Sequence, residues 1–163
     1  MAYLDSQLEF SDAQAITSTA LSTNVYDILA VRKGGSAVSG DTALNTRPDL
    51  GAGNQDIWVS VTVNTTFTTG TSANLTVTFE TADDAAMSTN ATVLTSSASA
   101  IAVGSLTAGT QILAFVIPSA LYRRYIALRY TVGVGTFTAG AVDAYMTPVP
   151  QINRIYKSAI TVQ

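Results

Sequence analysis

The sequence predicts an all-β protein, an antiparallel β-sandwich or jelly roll with about eight strands. Short Val-, Ile- and Thr-rich runs alternate apolar and polar residues with the period of a half-buried strand. Gly, Pro and Asp separate these runs, and no long stretch keeps an apolar stripe at helical spacing. A chain of 163 residues can form one domain with a two-layer core. These three observations favour antiparallel sheets over an α/β fold.

The clearest alternation lies in the middle of the chain. In Asp56 to Val63, apolar Ile57, Val59, Val61 and Val63 share one face. Asn74 to Thr81 repeats the pattern, and the segment between them contains Gly70, so the two strands are predicted to pair as a hairpin. The other predicted strands, bounded by turn residues, are Ala13 to Thr19, Asn24 to Ala30, Ala98 to Val103, Thr110 to Ile117, Arg124 to Val132 and Phe137 to Thr147.

The inward positions of these strands predict the core. The longest apolar run, Ile112 to Ile117, is far shorter than the roughly 20 residues that span a bilayer, and it indicates a buried strand. No membrane partner is therefore expected. The residues expected in the core are Val59, Val61, Leu75, Val77, Phe79, Leu113, Phe115, Ile126, Leu128 and Val142.

Two segments fall outside the strand pattern. Lys33 to Asn54 contains five glycines and few apolar residues, and an insertion of this length is typical of a contact loop. Pro148 to Gln163 begins with Pro-Val-Pro, which favours an extended exit, and then carries spaced apolar residues suited to a partner groove or sheet edge. The predicted organisation is a sandwich over residues 1–147 and a C-terminal arm over 148–163, whose contact residues are Ile152, Ile155, Tyr156 and Ile160.

Composition excludes most catalytic chemistry. The chain has no His and no Cys, so Ser-His-Asp and Cys-His nucleophiles and His- or thiolate-bound zinc are impossible. A two-carboxylate hydrolase would depend on scarce glutamates, and Glu80 is predicted at an outward, solvated strand position. Asp83-Asp84 lacks the alternating spacing of a calcium loop and is typical of a turn. We expect no enzyme activity, metal or cofactor.

The charge balance also bears on partners. Charged residues make up 12% of the chain and the net charge is −3, so nucleic acid is not expected as a partner. The adjacent pair Arg123 and Arg124 is interpreted as a solvated rim or as interface salt-bridge residues. A surface this poor in charge favours burial against other proteins, including self-association as a homodimer or a trimer.

Three aromatic residues fall opposite the apolar faces of their strands: Trp58, Tyr125 and Tyr145. Exposed rings can stack on a sugar, so a carbohydrate-binding module or a virion adhesin is the alternative function. Exposed Tyr and Trp equally mark protein interfaces, where they supply a large contact area at low entropic cost. The interface interpretation is preferred.

Several sequence blocks, in this order along the chain, resemble the jelly-roll cement or decoration proteins of short-tailed bacteriophage capsids, typified by one from a Bordetella phage. The resemblance spans about Tyr3 to Thr147. The blocks are Leu8 to Ala15, Thr81 to Asp84, Leu106 to Gly109, Arg124 to Tyr130 and Phe137 to Gly140.

This resemblance implies a structural virion protein without catalytic residues. It would be assembled in the host cytoplasm and would sit on the outer surface of an icosahedral HK97-like shell, often as a dimer. There it would staple neighbouring major capsid subunits. The Gly-rich insertion and the segment beyond Pro148 do not align with the family pattern.

Overall fold

A computed structural model describes residues 8–28, 56–118 and 122–148. Within them the protein is all-β, as predicted, with one short 3-10 helix at Val103–Ser105. The Gly-rich insertion at 33–54 and the proposed arm beyond Pro148 lie outside these residues. The strands are β1 (Glu9–Ala15), β2 (Ala20–Leu21), β3 (Tyr26–Asp27), β4 (Trp58–Thr69), β5 (Asn74–Ala82), β6 (Thr92–Ser96), β7 (Ile101–Ala102), β8 (Gln111–Val116), β9 (Tyr125–Gly133) and β10 (Phe137–Thr147).

The strands form two antiparallel sheets packed face to face. The first sheet has the order β1-β10-β4-β8. In the second sheet β9 and β5 are central, β2 and β3 pair successively with β9, and β6 and β7 pair successively with β5. If β2 with β3, and β6 with β7, each count as one interrupted strand, the eight strands form two four-stranded sheets in jelly-roll order. Successive strands change sheet at every step except from β5 to β6.

The predicted hairpin between the two central runs is wrong. Val61 of β4 lies opposite Ala144 of β10 and Leu113 of β8, in the first sheet. Val77 of β5 lies opposite Tyr130 of β9, in the second sheet. The turn around Gly70 therefore carries the chain from one sheet to the other. Local alternation could not distinguish this crossover from a hairpin, because both need a short, flexible connection.

Several strand boundaries differ from the prediction. The β10 bounds are the predicted ones, whereas β1 begins before Ala13 and ends at Ala15. Within Asn24 to Ile28 only Tyr26–Asp27 is strand, and within Ala98 to Val103 only Ile101–Ala102 is strand. The sequence prediction missed β2 and β6, which are short and lack a clear apolar alternation.

Aromatic side chains join the two sheets. The ring of Phe79 in β5 lies 6.1 Å from that of Phe10 in β1 and 5.3 Å from that of Phe115 in β8. Within the first sheet, Phe67 of β4 and Phe137 of β10 form an edge-to-face pair at 4.8 Å. All the predicted core residues are buried except Phe115, which is half-buried but packs against the core.

Ile112 to Ile117 is not a fully buried strand. This run forms most of β8, which is the last strand of the first sheet and has one strand neighbour, β4, among the described residues. Leu113 and Ile117 are buried, whereas Ala114 is exposed. An edge position exposes side chains that the same apolar sequence would bury in a central strand.

A polar network links β1 to the second sheet. The Ser11 and Tyr130 hydroxyls are 2.8 Å apart, and Ser11 Oγ also donates to Gln14 Oε1 at 2.7 Å. Gln14 Nε2 in turn donates to the Leu21 carbonyl. Burial raises the pKa of the Tyr130 phenol, so the group stays neutral and hydrogen-bonded in the folded protein.

Gly140 provides a local test of this packing. Its φ is +144°, and a Cβ at this position would lie 2.3 Å from a Phe67 ring carbon. Because both the backbone conformation and the space disfavour a side chain, Gly140→Ala should lower the free energy of unfolding by about 1–3 kcal/mol. Gly104→Ala is the control, since a Cβ there meets nothing within 4 Å. Urea denaturation of both variants measures the difference; equal stabilities would contradict the described packing at β10.

Candidate interface at one end of the sandwich

The strand registers place most of the sequence-predicted interface residues at one end of the sandwich, here called the junction end. In the first sheet, Trp58 lies opposite Thr147 on one side and Val116 on the other. In the second sheet, Tyr125 lies opposite Ala82 and Asp27. The junction end therefore includes the end of β10, the starts of β4 and β9, and the preceding Arg123 and Arg124.

Each described stretch also begins and ends at the junction end. The opposite end carries short connections instead, including the turns between β4 and β5 and between β9 and β10. The Ile28 amide donates to the Arg124 carbonyl, and the Ile117 amide to the Ile57 carbonyl, which ties several of these termini together. The residues at the boundaries are Leu8, Ile28, Asp56, Pro118, Tyr122 and Pro148.

An apolar pocket of about 210 Å³ opens at the junction end, beside the end of β10. Leu8, Ile57 and Met146 give it an apolar lining, and Thr147 and Pro148 complete the wall. It offers contact area without a charged or catalytic group. The sequence prediction missed this pocket, because its walls come from three distant parts of the chain.

Trp58 and Tyr145 lie on the outer face of the first sheet, as their alternation predicts. Tyr145 is opposite Ser60 on β4 and Glu9 on β1. It is 8% exposed, so the prediction of an exposed ring is wrong, and Trp58 is half-buried. The neighbouring Ser60 is likewise buried, at 2% exposed, and accepts a hydrogen bond from Gln111 Nε2 at 3.0 Å.

The three aromatic residues do not form one platform. Tyr125 belongs to the second sheet, whose outer face points away from that of the first sheet. Its half-buried ring lies below the Arg124 guanidinium, at 5.1 Å from the ring centroid, and packs against a small apolar cluster. A sugar stacked on all three rings is therefore excluded by the geometry.

Arg123 and Arg124 are paired with carboxylates of the same chain. Arg123 Nη1 lies 2.8 Å from Asp83 Oδ2. Arg124 donates to both Asp27 oxygens, with Nη2 to Oδ2 at 2.8 Å. The hydrogen bonds and charge of Asp27 raise the pKa of the Arg124 guanidinium, so this pair stays ionised. At the junction end, the charge of each of these two arginines is therefore balanced by a carboxylate.

Glu80 is not a solvated residue, which corrects the prediction. It points outward from β5, but it is 6% exposed and accepts hydrogen bonds from Arg129 Nε at 3.0 and 2.9 Å. Arg129 Nη2 also donates to the Met87 carbonyl at 3.0 Å. The connection between β5 and β6 thus folds over the outer face of the second sheet, where Met87 packs with Ala82 and Ala127.

Asp84 organises this connection as a turn residue. Its carboxylate accepts hydrogen bonds from the Ser88 amide and hydroxyl and from the Thr89 amide at 2.6 Å. The bond from Thr89 is the main cause that lowers the pKa of Asp84 below its ordinary value. The neighbouring Asp83 binds Arg123 and Asn90. These contacts occupy both carboxylates and support the turn interpretation of the Asp83-Asp84 pair.

The described residues contain no group of three or more Asp and Glu side chains that could hold a metal ion. Within the same stretches, no helix is long and apolar enough to cross a membrane. The four proposed arm contacts, Ile152, Ile155, Tyr156 and Ile160, lie outside the described residues.

Comparison with known proteins connects this sandwich to a family. The family model for Bbp16 matches residues 10–146. The chain belongs to the Bbp16 family. The family name fits a protein of a Bordetella phage. The Bbp16 match runs from β1 to β10, so it covers strands of both sheets, while Leu8, Thr147 and Pro148 at the junction end lie just outside it. No curated protein matches the chain.

Proposed function

We propose that the protein is a capsid cement protein that binds the outer surface of an icosahedral HK97-like phage shell and staples neighbouring major capsid subunits. The observation that carries the proposal is the Bbp16 match over the whole jelly roll, since the family name fits a phage protein. The absence of His and Cys from the sequence supports a structural role over most catalytic ones. In this role the protein belongs to the virion and is added during assembly in the host cytoplasm.

The junction end supplies the surface for this contact. A partner that covers its apolar pocket and the half-buried Trp58 removes mainly apolar surface from water, which favours binding. Arg123 and Arg124 already hold carboxylate partners, so they bring no unpaired positive charge to the contact. A durable contact needs roughly 800 Å² per partner, which is more than the pocket alone can provide. Segments that continue from the junction end therefore take part in binding.

The charge distribution supports this use of the continuing segments. The described stretches contain eight carboxylate and three basic side chains, and each of those three basic side chains is in an ion pair. The other five basic residues, Arg32, Lys33, Arg47, Arg154 and Lys157, belong to parts of the chain that continue from the junction end. Those parts also hold Asp5, Asp41 and Asp49, so five basic and three acidic residues give them a net charge of +2, and we place this positive charge at the contact with the shell.

Stapling stabilises the shell by mass action. A copy that binds two neighbouring capsid subunits must release at least one of them before they can separate, so its binding free energy adds to the cohesion of the shell. The contribution grows with the concentration of free protein. Self-association, as a homodimer or a trimer, would multiply the contacts made by one bound assembly.

The C-terminal segment is the first part of this contact to test. Removal of residues 150–163 should leave the sandwich folded, because all the described strands of both sheets end before this segment. Occupancy on capsids should fall, since the segment carries apolar Ile152, Ile155, Tyr156 and Ile160 together with two basic residues. The measurement is co-sedimentation of the full-length and truncated proteins with capsids that lack the protein, followed by heating of the loaded particles.

A matched variant separates binding from folding. Val134→Ala alters an exposed position in the turn between β9 and β10, at the end opposite the junction end, and should leave occupancy unchanged. Full-length protein should load the capsids and raise the temperature at which they release DNA. Equal loading by the truncated protein would show that the segment is dispensable. No loading by the full-length protein at tens of micromolar would contradict the cement function itself.

A further inference from the structure

The edge strands on the two sides of the sandwich differ in how well they are protected from pairing with further strands. On one side, β1 has two register irregularities, a positive φ at Ala13 and the exposed charge of Asp12. On the same side, β2 and β3 are only two residues long. Short strands, bulges and charges are the devices by which β proteins prevent further strands from pairing with an edge.

On the other side the edge strands carry no charge, although β7 is only two residues long and the pairing of β6 has one register irregularity. The edges on this side are β8 in the first sheet and β6, with β7, in the second. Hydrogen bonds from Gln14 to the Leu21 carbonyl and from the Asn24 amide to the Phe10 carbonyl put β1 beside β2 and β3, so β8 and β6 share the other side of the sandwich. Both strands have uncharged sequences, Gln-Ile-Leu-Ala-Phe-Val and Thr-Val-Leu-Thr-Ser. Val93 of β6 is 54% exposed, and Ala114 of β8 is exposed. An uncharged, apolar edge is a template for pairing with another strand.

The backbone orientation of β8 shows which groups are available. The Ile117 amide donates to the Ile57 carbonyl, so these residues form a hydrogen-bonded pair with β4. In an antiparallel ladder such pairs alternate with pairs whose N–H and C=O groups point away from each other. Ala114 and Val116, opposite Ser60 and Trp58, occupy these alternate positions. Their backbone groups therefore point outward from the sheet, away from β4.

We propose that β8 pairs antiparallel with β8 of a second copy of this chain, which joins two four-stranded sheets into one continuous sheet. Ala114 of one copy would lie opposite Val116 of the other, because these residues carry the outward backbone groups. About four N–H···O bonds result from the two symmetric pairs. The register irregularity at Gln111 and the missing amide of Pro118 bound the paired stretch on its two sides.

A second copy fits this edge better than an unrelated strand. A twofold axis brings identical uncharged strands together, so no like charges meet. The small Ala114 side chain faces the larger Val116 across the axis. The same axis brings β6 of one copy toward β6 of the other, where exposed Val93 can be covered. The proposal specifies the surface of the self-association named above, and it rests on that part of the proposed function alone.

Ala114→Pro tests the pairing directly. The Ala114 amide points away from β4, so proline removes it without the loss of a hydrogen bond within the chain. In the dimer the change removes two of the about four bonds and should raise the dissociation constant at least about tenfold. Ala114→Lys is the second variant, which keeps the backbone and adds like charges beside the axis. Ala114→Thr is the control, since it keeps the amide and suits a strand.

The measurements are sedimentation velocity over a hundredfold concentration range and amide exchange of the wild type. We expect a wild-type dimer, an unchanged Thr variant, weakened Pro and Lys variants, and concentration-dependent protection of the Ala114 and Val116 amides. A monomeric wild type overturns the proposal. A wild-type dimer whose Ala114 and Val116 amides are not protected also overturns it. An Ala114→Lys variant that dimerises with unchanged affinity does the same. Loading of the protein onto capsids is measured separately. A wild-type protein that dimerises through β8 but does not bind capsids would support this inference and contradict the cement function.

Discussion

Phe79→Ala should lower the free energy of unfolding by about 3–5 kcal/mol. Phe79 is fully buried and contacts rings on two strands of the opposite sheet, Phe10 and Phe115. Truncation removes the apolar contact and leaves a cavity between the sheets, which the flanking strands cannot close without a shift of both. From the centre of the second sheet this side chain contacts rings on both edge strands of the first, so we expect one of the largest effects of any single substitution.

Val93→Ala is the matched control for Phe79→Ala. Val93 lies on the strand that pairs with β5, but it is largely exposed, and its truncation should change stability by less than about 0.5 kcal/mol at low protein concentration. Urea denaturation followed by tryptophan fluorescence and circular dichroism gives both values. If the two variants were equally stable, the face-to-face packing of the two sheets would have to be abandoned.

Glu80→Gln should lower the free energy of unfolding by about 2–3 kcal/mol, the second large effect. The substitution leaves Arg129 without the carboxylate that accepts its Nε hydrogen bonds. Loss of one partner of a buried ion pair costs about 3–5 kcal/mol, and the partial exposure of Arg129 reduces this value. The effect should extend to the connection between β5 and β6, because the same guanidinium holds the Met87 carbonyl.

The exposed ion pair between Arg123 and Asp83 provides the comparison. Both of its side chains are more than a third exposed, so Arg123→Gln should cost less than about 1 kcal/mol. A double-mutant cycle with Glu80→Gln and Arg129→Met then isolates the buried pair, since the double variant should be more stable than the sum of the single effects predicts. Strict additivity of the two substitutions would contradict the coupling.

The sequence was sufficient to predict the sheet architecture but not the partner of every strand. Period-two alternation predicted β10 and the inward residues of β4, β5 and β9, because the alternation reports which face of a strand is buried. It could not report which strands are neighbours. The turn at Gly70 crosses between the sheets, and the apolar run at Ile112 to Ile117 lies at an edge, as a consequence of contacts distant in sequence.

For the candidate interface, the sequence likewise predicted which way the side chains point but not how exposed they are. Outward positions were correct for Trp58, Tyr125 and Tyr145, since alternation alone determines them. Their exposure was not predictable, because it depends on contacts distant in sequence, such as the connection between β5 and β6 that packs beside Tyr125. The burial of Glu80 has the same cause. The outward position of Arg129 on the adjacent strand was the signal that could have indicated the pair.

A cryo-electron microscopy map of the parent virion tests the cement function most directly. The account predicts copies of this jelly roll on the outer surface of the shell, each with Trp58 and the pocket beside Pro148 facing the major capsid protein and spanning two of its subunits. The exposed turns at the opposite end, including that around Gly70, should point away from the shell. A shell without these copies, or copies attached through the Gly70 end, would contradict the account.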